Sequence, residues 1–307
     1  SPALETIMLR MEKCMGPDHE IDRARRDFIE NALALPTLFT SGQDRNAQPG
    51  GLCQRRDGRC MLTGEKFTFK NRAELKAFKY QRYMRKYLQC VHSIDENVGR
   101  MLDYLDEKGL ADNTVVIYTS DQGFYLGEHG WFDKRFIYEE SFQMPFLVRY
   151  PKEIEAGSVN KDMISNVDFA QTFLEYAAVP EPNYMQGRSF RSNLKGETPA
   201  DWTDLAYHRY WMNQDGCHNA YAHYGIRTKD YKLIYWYNED LGEDGARPGT
   251  GEPEWELFDM HKDPLELINV YNDPAYAAAV KMMTDKLNAE MIRIGDVPAH
   301  PVNTCML

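Results

Sequence analysis

The stretch TVVIYTSDQGFYLGEHGWFDK, residues 114–134, decides how this chain folds. Its first six residues, Thr114 to Thr119, are all β-branched or aromatic. A run with no polar alternation has no wet face, and this predicts a buried strand of a parallel sheet. Asp121 and Gln122 follow where that strand must end. In open α/β sheets ligands bind outside the carboxyl ends of the strands, so a carboxylate and an amide carbonyl are delivered to a cleft. Oxygen donors of these two kinds suit a hard divalent cation such as Ca²⁺ or Mg²⁺. Gly123, Gly127 and Gly130 permit tight turns, after which His129 and Lys134 bring a titratable ring and a fixed cation back to the same area. A metal and Lys134 together attract the oxygens of a tetrahedral oxyanion, and His129 can handle a proton. The plainer reading stays open beside this one: an Asp after a strand commonly caps a turn, a His among glycines is commonly a polar loop residue, and a lone Lys is commonly solvated.

Outward from this stretch the patterning is clear. Upstream, Leu75, Phe78, Tyr83, Tyr87, Val91, Ile94, Val98, Leu102 and Leu105 recur at helical spacing, which predicts one long amphipathic helix from Arg72 ended by Gly109. Asp18 to Ala34 reads as a further helix and Ser41 to Gly64 as a long loop. Downstream come a short strand, Phe146 to Tyr150, and a helix, Asp168 to Ala178. Beyond Ala200 the composition changes: Leu205–Trp211, Ala222–Thr228, Tyr231–Tyr237 and Trp255–Met260 read as strands, with Lys229-Asp230 as a hairpin turn and Ala275–Ile294 as a closing helix. The expected fold class is α/β: part of a layered α/β domain plus a small antiparallel sheet with one helix. The expected divisions are 1–70, an N-terminal segment; 71–195, the α/β part; and 196–307, the antiparallel part.

Composition bounds the function. The 307 residues carry 36 Lys and Arg against 47 Asp and Glu, a formal charge of −11. No basic face gathers, which argues against a nucleic-acid partner. Any anionic substrate must be held by a few local cations against the overall field. No apolar run approaches ~18 residues, so no membrane span is expected. The opening SPALETIMLR lacks the charged and apolar regions of a signal peptide. The six cysteines, Cys14, Cys53, Cys60, Cys90, Cys217 and Cys305, form no CxxC pair and read as isolated thiols or at most one opportunistic disulfide.

The motifs also carry a family resemblance. Asn113 to Gly123, then Gly127-Glu-His-Gly130, Asp133-Lys134, Tyr138-Glu-Glu-Ser141 and Met144-Pro145 resemble the second half of a type I sulfatase of the alkaline phosphatase superfamily. Asp95-Glu-Asn-Val-Gly99, Asn166-Val-Asp168 with Thr172, Tyr224-Gly-Ile-Arg-Thr228, Tyr231-Lys-Leu-Ile234, Glu256-Leu-Phe-Asp259 and Asp263-Pro264 with Glu266 and Asn269 extend it in the right order from about Arg72 to Asp273. The resemblance implies an alkaline-phosphatase-like domain with a C-terminal subdomain, and hydrolysis of sulfate esters by a formylglycine nucleophile. It implies that Asp121 and Gln122 are the second pair of Ca²⁺ ligands and that Lys134 contacts the sulfate, with His129 orienting neighbours or moving a proton. The nucleophile motif Cys/Ser-x-Pro-x-Arg is absent from all 307 residues, as are the leading Asp-Asp pair, Lys-x-His and Pro-His-x-Pro. The chain is therefore expected to be the C-terminal portion of a sulfuric ester hydrolase and to be inactive alone.

The Gly-Glu-His-Gly-Trp-Phe-Asp-Lys element looks most like bacterial sulfatases acting on sulfated carbohydrates, glycosaminoglycans included. Such enzymes are usually exported, which implies a periplasmic or extracellular whole protein. His208, Arg209, His218 and His223 lie among Tyr210, Trp211 and Tyr221, a mixture that suits sugar binding. His208 and His223 are the candidate substrate contacts, against the plainer reading of an ordinary half-exposed sheet face. Two other functions fit the same frame: a phosphodiesterase or phosphonate hydrolase of the same superfamily, and a non-catalytic module that holds a sulfated glycan.

Overall fold

The computed structural model describes residues 67–300 apart from 217 and 250. The helix expected at Asp18–Ala34 and the loop at Ser41–Gly64 lie outside the described residues. In chain order the elements are α1 (Arg72–Glu107), β1 (Val116–Tyr118), β2 (Tyr125–Leu126), β3 (Phe132–Asp133), α2 (Glu139–Phe142), β4 (Leu147–Arg149), α3 (Phe169–Tyr176), α4 (Arg191–Leu194), β5 (Leu205–Tyr210), β6 (His223–Thr228), β7 (Tyr231–Trp236), β8 (Glu254–Asp259) and α5 (Ala277–Ile294). Among the described residues they divide into two compact units: 67–114 with Phe124–Asp133, and Val115–Gly123 with 134–300.

In the first unit α1 begins where Asn71 accepts the Glu74 amide at 2.9 Å and Glu74 accepts the Lys70 amide at 2.6 Å. These reciprocal bonds satisfy amides that a helix start otherwise leaves unpaired. Gly109, at φ +64, turns the chain out of the helix in the left-handed region. Tyr83 packs edge-on against Phe132 and Tyr87 stacks on Phe124, so the aromatic part of the predicted face lies on the β2–β3 hairpin. None of the 36 helical residues is buried, and Leu88, Val91, Ile94, Met101 and Tyr104 of that helix are exposed.

In the second unit β1 pairs with β4, from Val116 opposite Arg149 to Tyr118 opposite Leu147. The pairing is antiparallel and the strand is half-buried, which corrects the expected buried strand of a parallel sheet. Val115 and Ile117 share a groove with Phe173, Tyr176 and Ala177, while Tyr118 is exposed. A β-branched run favours an extended apolar strand, but it does not encode the direction of the strand beside it.

The larger part of this unit is the antiparallel sheet β5-β6-β7-β8. Its strands follow the sequence order, and the hairpin at Lys229-Asp230 sets Arg227 opposite Lys232. Tyr224, Ile226, Leu233, Tyr235 and Leu257 point to one face and are closed over by Met283, Leu287 and Met291 of α5. Ile234 and Phe258 point to the other face, where Ile137 packs on them with Met260. Burial on both faces explains why β7 is almost uniformly apolar apart from one residue, Lys232.

Candidate functional site

The site begins where β1 ends. Lys134 Nζ lies 2.9 Å from Asp121 Oδ2 across 13 residues of sequence. Asp121 is 78% exposed at its side chain and Lys134 29%. The hydrogen bond from Lys134 and its positive charge hold the Asp121 carboxyl below the usual carboxylate range. Gln122 is the next residue and is half-buried.

The backbone around this pair is tightly set. The Gly123 amide donates to the Ser141 carbonyl at 2.8 Å. A Cβ on Gly123 would stand 2.2 Å from the Glu140 carbonyl oxygen, so only glycine lets the two segments approach this closely. After Lys134 the chain dives into the sheet: Phe136 and Ile137 are buried, and the Ile137 carbonyl accepts from Lys232 Nζ at 2.8 Å. Lys232 is fully buried, with Glu139 at 2.7 Å and Glu266 at 2.6 Å. Burial works to raise the Glu139 carboxyl, but Lys232 and Arg227 outweigh it and hold the group low; burial pushes Glu266 up. The sequence alone does not mark Glu139, Lys232 and Glu266 as functional. The available signal was a lysine in the middle of an apolar strand, a position that lysine occupies only when paired.

Arg135 takes a different direction from Lys134. Its Nη2 lies 2.9 Å from His218 Nε2. His218 Nδ1 lies 2.8 Å from Asp215, which also accepts from the Tyr210 hydroxyl at 2.8 Å. With Nδ1–H donating to Asp215, Nε2 is left as the acceptor for the guanidinium. The structure thus brings His218, one of the clustered histidines, to the residue beside Lys134.

His129 belongs to the first unit, where it holds φ +52 and its ring stands edge-on to Tyr125 at 6.2 Å. His208 and His223 lie on neighbouring strands with ring centroids 5.4 Å apart. The His223 ring packs against Trp236 at 4.5 Å and Phe136 at 5.8 Å, and is fully buried. Burial pushes the imidazoles of His208 and His223 down to about 4 and about 3, so both are neutral near pH 7. A fully buried ring has no edge to offer a sugar, and half-buried His208 rests on Phe142 at 5.7 Å.

Among the described residues no three His, Cys, Asp or Glu side chains are grouped to hold a metal ion. The donor set at the end of β1 is oxygen only, which fits Ca²⁺ or Mg²⁺. Asp121 and Gln122 would offer two oxygen donors where Ca²⁺ takes about six to eight.

Comparisons with known proteins follow the same outline. A family model described as N-sulphoglucosamine sulphohydrolase, C-terminal, matches residues 127–293, and a sulfatase family model matches residues 36–179. An N-acetylglucosamine-6-O-sulfatase of Bacteroides thetaiotaomicron is 48% identical over 213 residues, covering 69% of this chain and 36% of that protein. A solved structure of a protein in complex with its substrate D-glucosamine-2-N,6-O-disulfate aligns with TM-score 0.67 at 46% identity, over 74% of this chain and 43% of that one. A phosphonate monoester hydrolase from Silicibacter pomeroyi aligns with TM-score 0.59 at 24% identity, over 73% of this chain and 43% of that one, a likeness of fold alone. The chain therefore spans well under half the length of these relatives.

Proposed function

Because the chain belongs to the type I sulfatases of the alkaline phosphatase superfamily, we propose that it supplies part of the anion-binding machinery of an enzyme that hydrolyses sulfate esters on a carbohydrate. The observation that carries this reading is the Asp121–Lys134 pair at the carboxyl end of β1. Asp121 and Gln122 would hold Ca²⁺, with further ligands from outside this pair. When bound, the metal supplies Lewis-acid stabilisation of charge on the sulfate oxygens.

The chain's own residues then have distinct tasks. Lys134 donates to a sulfate oxygen from a segment anchored in the sheet, so little ordering is left to be done when substrate arrives. Asp121 would hold the cation with the same carboxylate that accepts from Lys134, and Lys134 would then be left to donate to the anion. His129 orients its neighbours or handles a proton. The nucleophile has no counterpart here, because no Cys/Ser-x-Pro-x-Arg motif occurs in the 307 residues. It must come from sequence that this chain does not contain, and the chain alone is expected to give no turnover of an aryl sulfate.

The relatives support the substrate class. One is named for 6-O-sulfated N-acetylglucosamine, and another was solved with a glucosamine bearing two sulfates. A sulfated glucosamine of the glycosaminoglycan type is the substrate proposed here. The exported habit of the family supports a periplasmic or extracellular site of action; no helix among the described residues is long and apolar enough to cross a membrane.

Calorimetric titration of the chain with glucosamine 6-O-sulfate, with and without Ca²⁺, tests this reading. Binding should strengthen with Ca²⁺, lose that dependence in Asp121→Ala, and weaken at least tenfold in Lys134→Ala. Sugar binding that ignores both Ca²⁺ and Lys134→Ala would instead support a glycan-binding module with no catalytic half-site.

A further inference from the structure

Lys232 is the one charged side chain inside β7, and it is entirely withdrawn from water. A buried ammonium is retained only when it is fully partnered. Here the partners come from two places: Glu266, from the turn after β8, and Glu139 with the Ile137 carbonyl, from the segment that leads away from Lys134. Glu266 also accepts the backbone amide of Glu139 at 2.6 Å, and Arg227 of β6 donates to Glu139 at 3.1 Å. Tyr138, between them, donates to Glu256 of β8 at 2.9 Å. Three consecutive residues, 137–139, are thus tied to the sheet by charged groups.

Glu266 reaches this position at a cost. Its φ is +55, a conformation that a non-glycine residue keeps only when its surroundings impose it. The surroundings do so. Asp263 accepts the amides of Leu267 and Ile268 at 2.7 and 2.8 Å, and Asn269 accepts the amide of Leu257 at 3.1 Å and donates to the Trp255 carbonyl at 3.0 Å. The turn is fixed to the edge of β8, and its central glutamate is aimed inward.

From this clamp the order passes to the site by two short routes. Backward along the chain, Ile137 is three residues from Lys134, whose ammonium meets Asp121. Forward, Glu139 opens α2, and the Ser141 carbonyl in α2 holds the Gly123 amide, two residues past Asp121.

We propose that Lys232, Glu266 and Glu139 are positioning residues that join the C-terminal sheet to the Asp121–Lys134 site and set the spacing of its two segments. None of the three touches the site itself; they act through the 137–142 segment. The proposal rests on the sulfatase reading only for the use made of Lys134; the placement it describes is independent of any activity.

Hydrogen–deuterium exchange of the 307-residue chain, read by mass spectrometry without substrate, tests it. Glu266→Gln keeps the shape and one hydrogen-bonding oxygen but removes the charge; Lys232→Met removes the ammonium at similar volume. In each, peptides spanning 119–126 and 136–143 should exchange at least tenfold faster, while peptides from β6 and α5 stay within twofold of wild type. Lys134→Met, which removes the ion pair and leaves the clamp, should leave both peptides near wild type. Unchanged exchange at 119–126 in a folded Glu266→Gln chain would overturn the proposal. So would a uniform rise across the sheet in Glu266→Gln, or an equal rise in Lys134→Met. If the clamp behaves as expected but sulfated sugar still fails to bind, the sulfatase reading fails and the positioning role stands.

Discussion

At the scale of single residues, the Asp121–Lys134 contact is a charge pair in water's reach. Such a pair contributes little to stability, and its meaning is the arrangement it holds. It has a direct signature. Lys134 keeps the Asp121 carboxyl low, so the folded group stays ionised to lower pH than a free aspartate. Lys134→Met should raise the titration midpoint of Asp121 toward the ordinary value of ~3.9, read by NMR of the side-chain carboxyl. A midpoint that does not move would mean that the pair is not populated in solution. The types of Asp121 and Lys134 and their position after a strand suggest that they meet, and the structure pairs them. The partners of Lys134's segment are not legible this way, because a buried lysine and the glutamate that neutralises it lie 34 residues apart in sequence and meet only through the sheet.

At the scale of elements, the approach of Gly123 to α2 is the tightest joint of the site. A methyl group there meets the Glu140 carbonyl at 2.2 Å and the Gln143 carbonyl at 2.7 Å, both backbone atoms that cannot swing aside. Gly123→Ala should therefore destabilise the chain by on the order of 1–3 kcal/mol, the range for overpacking a close joint. Urea unfolding followed by fluorescence checks this, and an unchanged midpoint would show that the two segments part readily. The strands and helices themselves were read well from periodicity: α1 from Arg72, α3, the four strands of the meander and α5 all fall within a few residues of their patterns. The errors lie in relation. The run at β1 has the composition of a buried parallel strand, and it is half-buried and antiparallel. The hairpin β2–β3 and the single turn α2 were not distinguished, being too short to show a period.

At the scale of the whole chain, burial of neutral histidines makes stability depend on pH. His208, His223 and His300 are pushed down to about 4, about 3 and about 4 by burial. Their folded values lie below the ~6.5 of a free imidazole, so the unfolded chain takes up protons first as pH falls. Stability should be flat above about pH 7.5 and decline from ~6.5 downward, by up to ~1.4 kcal/mol per pH unit for each imidazole, until the folded values are reached. Most carboxylates titrate below this window, so urea unfolding between pH 8 and pH 5 isolates the effect. His223→Phe, which keeps a ring among Trp236, Phe136 and Tyr210, should make the decline shallower. An equal slope in the variant would assign the decline to other groups.

The sequence by itself determined the elements and the family, and it proposed the group at the end of β1. Period, turn residues and ligand types are local properties, written within a few residues of one another. Only the tertiary structure decided which partners those elements meet. It buried His223, a candidate sugar contact, in an aromatic core, brought His218 to Arg135, and paired Lys232 with Glu266 beneath the segment that follows Lys134. The physical reason is the same in each case. A buried polar group must find a partner, and that partner is chosen by which faces the folded sheet brings together rather than by nearness in the chain.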